Sequence, residues 1–102
     1  MRTLYHPAPN DIKLTALLYA LSDPTRLEVV RYLACHGEHT CSDIGMPVAK
    51  STLSHHIKVL REAGIIQTRV EGTQRHVSLR RQDIETRFPG LLEAILNAAE
   101  PF

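Results

Sequence analysis

The sequence predicts one mainly α-helical domain with a single small β-hairpin, in the order α-α-α-α-β-β-α. Apolar residues recur at helical spacing in most of the 102-residue chain. The helix with the clearest division into an apolar and a polar face ends at a glycine, and two short strand-like runs follow it directly. Basic residues are concentrated in this same stretch. These observations predict a helix and hairpin that act together, supported by the other helices.

The chain is expected to begin with an N-terminal arm, residues 1–10, followed by one domain, residues 11–99. Pro7, Pro9 and Asn10 favour an extended arm over a helix. From Asp11, leucines recur at i, i+3, i+4 and i+7, which predicts a first helix of about 11 residues. The leucines of this stripe are Leu14, Leu17, Leu18 and Leu21.

The second helix has a clear start. Asp23 is the predicted N-cap, and Pro24 occupies the first helical position, where its missing N–H costs nothing. The helix is expected to end near Cys35-His36-Gly37. The next piece, Thr40 to Gly45, is long enough for a turn or two of helix and would be the first helix of a helix-turn-helix.

The following helix is predicted to read DNA. Leu53, Ile57 and Leu60 form its apolar stripe, and Gly64 is placed where a left-handed stop would end it. The opposite face is polar and mostly basic, with Ser51, His55, Lys58 and Glu62 opposite the stripe and Ser54 and Arg61 beside them.

A β-hairpin wing and a last helical region complete the domain. Ile65 to Arg69 and Arg75 to Leu79 are the predicted strands on either side of Glu71-Gly72-Thr73. The last helical region runs from about Gln82 to Ala99 and is expected to break near Phe88-Pro89-Gly90. Its apolar stripe contains Ile84, Leu91, Leu92, Ile95 and Ala99.

Charge is segregated along the chain. Residues 50–81 contain seven Lys or Arg and two acids, whereas the remainder contains five basic and nine acidic residues. A basic face of this kind suits binding to phosphates, and the alternative is a solvated surface with chance clustering. Together with the helix, glycine and hairpin, it predicts a winged helix-turn-helix protein that binds double-stranded DNA.

The first and last helices each carry a full apolar stripe. Pairing of these helices across a two-fold axis would bury both stripes, so the sequence predicts a homodimer. The alternative is that both stripes pack onto the core of one monomer. No apolar run approaches the roughly 20 residues needed to cross a bilayer, and no secretory signal is visible, which predicts a cytoplasmic protein without a membrane partner.

Three strings resemble the ArsR-type (arsenic-repressor-like, ArsR/SmtB) family of winged helix-turn-helix transcriptional regulators. They are LSDPTRL at 21–27, KSTLSHHIKVLREAGII at 50–66 and EGTQR at 71–75, and the resemblance extends from Leu14 to Ala99. It implies a dimer that binds a two-half-site operator, usually as a repressor, and releases it when an inducer binds. Residues 41–48 are about two residues shorter than is usual in the family, and Ala49 stands where a capping serine is common.

The resemblance also implies the DNA-binding residues. Lys50, Ser51, Ser54, His55 and His56 would face the major groove, Thr52, Lys58 and Arg61 would lie near phosphates, and Arg69, Arg75 and His76 would be the charges of the wing. The helical projection places His56 closer to the apolar stripe, so contact with a phosphate and packing against the neighbouring helix are both open for it.

The sequence leaves the inducing signal open among a metal, a redox change and a small molecule. The paired-cysteine and Asp/His sites of metal-sensing members are not intact here. Cys35, His36, His39 and Cys41 form a separate cluster that could hold zinc or another thiophilic metal, or form a Cys35–Cys41 disulfide, although its spacing matches no known structural zinc site. A polar loop with free thiols is the alternative, and no cofactor is expected.

Two other functions can be weighed against DNA-binding regulation. An enzyme is disfavoured because the sequence shows no nucleophile motif, no glycine-rich phosphate loop and only scattered acids. A winged-helix module that contacts protein would be expected to replace exposed basic residues with apolar ones. The chain instead keeps Lys50, Lys58, Arg61, Arg69 and Arg75.

Overall fold

The computed structural model describes residues 4–98 and confirms a mostly helical domain with a small antiparallel sheet. Its helices are α1 (Leu14–Ala20), α2 (Pro24–His36), α3 (Lys50–Ala63), α4 (Arg81–Arg87) and α5 (Leu91–Leu96). Its strands are β1 (His39–Thr40), β2 (Ile66–Glu71) and β3 (Gln74–Leu79), and single 3-10 turns occur at Pro9–Asp11 and Cys41–Asp43.

The helix boundaries follow local signals where those signals are strong. The Asp23 side chain accepts a hydrogen bond from the Arg26 amide, and α2 begins at Pro24 as predicted. Helix α3 begins after Ala49, which makes no side-chain cap, and ends at Gly64 in the left-handed conformation, with φ 90°. The predicted break in the last helical region is also confirmed, since α4 and α5 are separated by Phe88, Pro89 and Gly90.

Two local predictions are wrong. The first helix begins at Leu14 rather than Asp11, because Ile12 and Lys13 are extended and Ile12 turns into the core, where it is 1% exposed. The segment Thr40 to Gly45 forms no α-helix. Its first residue instead belongs to β1, and one 3-10 turn follows.

The sheet has the order β1-β3-β2 and is antiparallel throughout. Strand β2 pairs with β3 from Ile66 opposite Leu79 to Glu71 opposite Gln74, so Gly72 and Thr73 form a two-residue loop. Strand β1 was not predicted. It is only two residues long and pairs His39 with Val77 and Thr40 with His76, which ties the segment before α3 to the wing.

The apolar stripes of the first and last helices are divided between the core and the surface. Leu17 and Leu21 of the first stripe are buried, and Ile84 and Leu92 of the last stripe are buried with them. On the outer side of α1, Leu14 is 43%, Leu18 48% and Tyr19 68% exposed. Ala99, which was predicted to extend the last stripe, lies outside the described residues.

The N-terminal segment is held against the domain by three arginine side chains that donate to its carbonyl groups. Arg61 Nε donates to the Tyr5 oxygen over 3.2 Å, Arg80 to the Pro7 oxygen over 2.8 Å and Arg87 to the Ile12 oxygen over 2.8 Å. The His6 Nε2 atom also accepts from the Thr68 amide on the outer edge of β2, at 3.0 Å. This segment therefore contacts the end of α3, the wing and the last helical region. No helix within residues 4–98 combines the length and hydrophobicity needed to cross a lipid bilayer.

The side chains of Ile12 and Pro7 approach the backbone closely at Gly64. A Cβ atom added there would lie 2.6 Å from Ile12 Cγ1 and 3.2 Å from Pro7 Cγ. We expect Gly64→Ala to lower the free energy of unfolding by about 3 kcal/mol, since a left-handed alanine costs about 1–2 kcal/mol and overpacking adds about 1–3 kcal/mol. Urea denaturation at a fixed protein concentration measures this loss.

Gly72→Ala is the matched control for this prediction. Gly72 also has a positive φ, of 62°, but nothing lies within 4 Å of its added Cβ. Its replacement should therefore cost only the backbone strain of about 1–2 kcal/mol. Equal losses in the two variants would contradict a tight contact between Gly64 and Ile12.

Candidate nucleic-acid interface

An open cleft of about 720 Å³ lies between α3 and the tip of the wing. Helix α3 forms one wall, and Thr73, Gln74 and Arg75 of the hairpin form the other. The segment Thr40 to Ser42, which β1 pairs to the hairpin, completes the lining. The cleft is thus built from three separate segments, residues 40–42, 50–61 and 73–75, and pairing of β1 with β3 brings the first of them to the hairpin.

Most of the predicted DNA-binding residues meet at this cleft. On the polar face of α3 the residues Ser51, Ser54, His55, Lys58 and Glu62 are exposed, whereas Leu53, Ile57 and Leu60 on the opposite side are buried. The predicted residues that line the cleft are Lys50, Ser51, Ser54, His55, Lys58, Arg61 and Arg75. Thr52 is exposed on α3 but lies outside the lining.

Three cations give the cleft its charge. Lys50, Lys58 and Arg75 are exposed, and among the described residues no carboxylate forms an ion pair with any of them. A positive groove of this kind attracts a polyanion, because binding a phosphate there breaks no existing ion pair. Hydroxyl groups of Ser51 and Ser54 and the His55 ring supply hydrogen-bonding groups between the cations.

Arg61 is not on the exposed face that the helical projection predicted, and this prediction is wrong. Arg61 is 6% exposed, and its Nε atom donates to the Tyr5 carbonyl oxygen. The projection treats α3 as an isolated rod and cannot include the N-terminal segment that covers this part of the helix. Arg61 therefore serves first as an anchor for that segment.

His56 also points away from the cleft. Its side chain is 12% exposed, its Nδ1 atom lies 3.2 Å from Arg26 Nη1, and its Nε2 atom lies 3.9 Å from Asp23 Oδ2. Of the two placements left open for His56, the structure shows packing against the neighbouring helix α2. The expectation from family resemblance that His56 faces the major groove does not fit this placement.

The remaining wing charges, Arg69 and His76, form a cluster with two acids outside the cleft. Arg69 hydrogen-bonds to Glu71 and, at 3.0 Å, to Glu38, and His76 lies 3.9 Å from Glu38. The hydrogen bond from Arg69 lowers the pKa of Glu71. The same hydrogen bond raises the pKa of Arg69. The charge of Arg69 is already matched locally, so Arg75 is the wing cation available to a phosphate.

The proposed metal or redox cluster is dispersed over α2, β1 and the following turn. The rings of His36 and His39 pack around Tyr32, with centroids 4.6 and 5.0 Å from its centroid, and both cysteines are free thiols. Across residues 4–98, no three His, Cys, Asp or Glu side chains are arranged to hold a metal ion. The expectation of no cofactor stays a prediction.

Sequence reasoning missed the contribution of Thr40, Ser42, Thr73 and Gln74 to the cleft. Thr73 and Gln74 follow the turn glycine, which could have indicated that they lie at the tip of the wing. Thr40 and Ser42 gave no such signal, because their position depends on pairing of β1 with β3, more than 30 residues away.

Comparisons with known proteins agree with this architecture. A helix-turn-helix domain family matches residues 21–69. The chain is 39% identical over 90 residues to an uncharacterized HTH-type transcriptional regulator, YceK, of Bacillus subtilis, covering 84% of this chain and 90% of the relative. It is 33% identical to an arsenical resistance operon repressor of Staphylococcus xylosus, covering 72% of this chain and 71% of the relative.

A solved structure described as an ArsR family transcriptional regulator superposes with a TM-score of 0.64 at 27% identity, covering 78% of this chain and 89% of that one. These matches are to regulators rather than enzymes.

The position of Cys41 in the lining of the cleft predicts how fast its thiol reacts. Burial raises the pKa of the Cys41 thiol, and the positive charge of Arg75 offsets part of this rise. Because the thiolate is the reactive form, Cys41 should react with neutral iodoacetamide at pH 8 more slowly than exposed Cys35. Arg75→Gln should slow Cys41 further, since the offsetting charge is lost.

Mass spectrometry on the single-thiol variants Cys35→Ser and Cys41→Ser measures the two rates separately. Each variant serves as the control for the other, because both proteins keep one cysteine in an otherwise unchanged chain. Faster alkylation of Cys41 than of Cys35 would contradict the burial of Cys41.

Proposed function

Because this chain belongs to the ArsR-type family of winged helix-turn-helix transcriptional regulators, we propose that it is a dimeric repressor that binds a DNA operator and leaves it on an inducing signal. The observation that carries the proposal is the cleft between α3 and the wing, with its three exposed cations and its hydroxyl-bearing helix face. As a transcriptional regulator, it would act in the cytoplasm.

The geometry suits a duplex. An α-helix with side chains is about 10–12 Å across, and the major groove of B-DNA is about 12 Å wide. With α3 in that groove, Ser51, Ser54 and His55 would face base edges, Lys50 would face the groove beside them, and Lys58 would lie nearer to phosphates. Arg75, on the opposite wall of the cleft, would then contact the backbone beside the groove.

The exposed side of α1 supports a dimer. Leu14, Leu18 and Tyr19 form an uncovered apolar face on one short helix. Next to it, Leu91 and Ile95 of α5 are only partly buried, although both line a small apolar gap with Leu17 and Leu21. A second copy that pairs α1 and α5 across a two-fold axis would cover these residues and place two α3 helices on one face. The half-sites would then lie about one helical turn apart, or a multiple of it.

The repressor role and the release from DNA are proposed by analogy with related proteins. One of them is an arsenical resistance operon repressor, and another is a homologue of a cadmium resistance regulatory protein. The chemical nature of the signal stays open among a metal, a redox change and a small molecule. The alternative function is a winged-helix module that binds protein without specific DNA binding. It is disfavoured because Lys50, Lys58 and Arg75 are exposed, and no carboxylate among the described residues forms an ion pair with them.

DNA binding can be tested on a sequence selected from a random library. We expect His55→Ala to weaken binding to the selected operator by about 1–3 kcal/mol and to leave binding to random DNA nearly unchanged, because His55 faces base edges. Arg75→Ala should weaken binding to both and reduce the salt slope by about one unit, because it removes one phosphate contact. Fluorescence anisotropy over a range of salt concentrations measures both quantities.

Arg81→Ala is the control for charge. Arg81 is paired with Glu93 outside the cleft, so its removal changes the net charge by the same amount without removing a contact to DNA. Equal losses on operator and random DNA for both cleft variants would show that the reading face is assigned incorrectly. No preference of the wild-type protein for any sequence would favour the interaction-module alternative.

The dimer has a separate test. Leu18→Glu places a charge on the uncovered face of α1, and we expect it to shift the mass measured by light scattering at micromolar concentration from dimer to monomer. Val70→Glu is the matched control, because Val70 is equally exposed, at 48%, but lies on the wing. A monomeric wild-type protein would rule out the dimer.

A further inference from the structure

A chain of polar contacts joins the middle of α3 to the corner between α1 and α2. Arg26, in the first turn of α2, is 8% exposed, and its Nε atom donates to the Ala20 carbonyl oxygen at the end of α1 over 2.6 Å. Its Nη1 atom lies 3.2 Å from His56 Nδ1 on α3. The Asp23 carboxylate accepts from the Arg26 amide and lies 3.9 Å from His56 Nε2. These contacts connect three helices through two side chains and one cap.

The chemistry of these groups defines the direction of each contact. A guanidinium group can only donate, so His56 Nδ1 must accept from Arg26. The ring proton is therefore on Nε2, which faces the Asp23 carboxylate. Nδ1 accepts from Arg26, Nε2 is directed toward Asp23 at 3.9 Å, and the ring does not line the cleft.

We propose that His56 is a positioning residue for DNA reading, which sets the rotation of α3 about its own axis through its hydrogen bond to Arg26 and does not contact DNA. The proposal rests on the proposed function and deepens it. Successive side chains on an α-helix are about 100° apart, so fixing the His56 ring against α2 fixes the direction of its neighbour His55 into the cleft.

The position of the contact along α3 supports this role. The C-terminal end of α3 is held by Arg61 and by the close approach of Ile12 to Gly64. The N-terminal end has no side-chain cap at Ala49, so it gains no such support there. His56 is at the middle of the helix, and its contact to Arg26 is the polar link between the reading half of α3 and the rest of the domain among the described residues.

The test compares His56→Ala with His56→Asn, in which the Oδ1 atom can replace Nδ1 as the acceptor for Arg26. We expect His56→Ala to lower affinity for the selected operator by about tenfold with an unchanged salt slope, since one net hydrogen bond but no phosphate contact is lost. His56→Asn should restore most of the affinity. Both variants should bind random DNA as the wild-type protein does, which a general loss of folding would not allow.

The proposal would be overturned if His56→Ala bound the operator with wild-type affinity. It would also be overturned if the salt slope of His56→Ala were lower by about one unit, because this indicates a direct phosphate contact. If His56→Ala does not fold, Arg26→Lys replaces it. The lysine keeps the charge but cannot donate to Ala20 and His56 in the same geometry, so it should reproduce the operator loss. Unchanged operator affinity in Arg26→Lys would likewise overturn the proposal.

A readout without DNA separates this inference from the proposed function. Residual dipolar couplings of the free protein report the orientation of α3 relative to α2. We expect this orientation to change in His56→Ala and to return to the wild-type value in His56→Asn. An unchanged orientation in His56→Ala would overturn the inference even if no operator is found. Failure of the wild-type protein to prefer any DNA sequence would instead count against the proposed function.

Discussion

The contact between Gly64 and Ile12 is the constraint on which the geometry of the interface depends. At this point α3 ends, the hairpin begins, and the N-terminal segment packs against both. There is no space for a Cβ atom on residue 64, and its φ of 90° turns the chain directly from α3 toward β2. The angle between helix and hairpin follows from this turn. The cleft exists because that angle keeps the tip of the wing facing the polar side of α3.

Two sets of basic residues in the described part of the chain have different roles. Arg26, Arg61 and Arg80 are buried and donate to carbonyl oxygens of other segments, which satisfies these backbone acceptors. Lys50, Lys58 and Arg75 are exposed around the cleft. A count of charges along the sequence includes both groups, so it overstates the charge that a phosphate would meet. The buried arginines contribute to binding indirectly, because they hold the surfaces that carry the exposed cations.

Local signals predicted much of the fold and most of the cleft. The Asp23 cap, the glycine stop at residue 64 and the 3.6-residue period of α3 act within one or two helical turns, so the sequence displays them directly. The features that were missed, or in the case of His56 left open, depend on distant partners. Strand β1 is defined by pairing with β3, Arg61 is covered by a segment 56 residues earlier, and His56 is turned toward an arginine 30 residues earlier. A helical projection cannot show any of these contacts.

The same long-range contacts connect the two surfaces on which the proposed function depends. The Tyr19 ring is on the uncovered face of α1, and its centroid lies 5.7 Å from Arg26 Cζ. Arg26 in turn holds the end of α1 through Ala20 and contacts α3 through His56. A second copy that covers α1 would thus pack against Tyr19, which contacts Arg26, and Arg26 contacts His56 on α3.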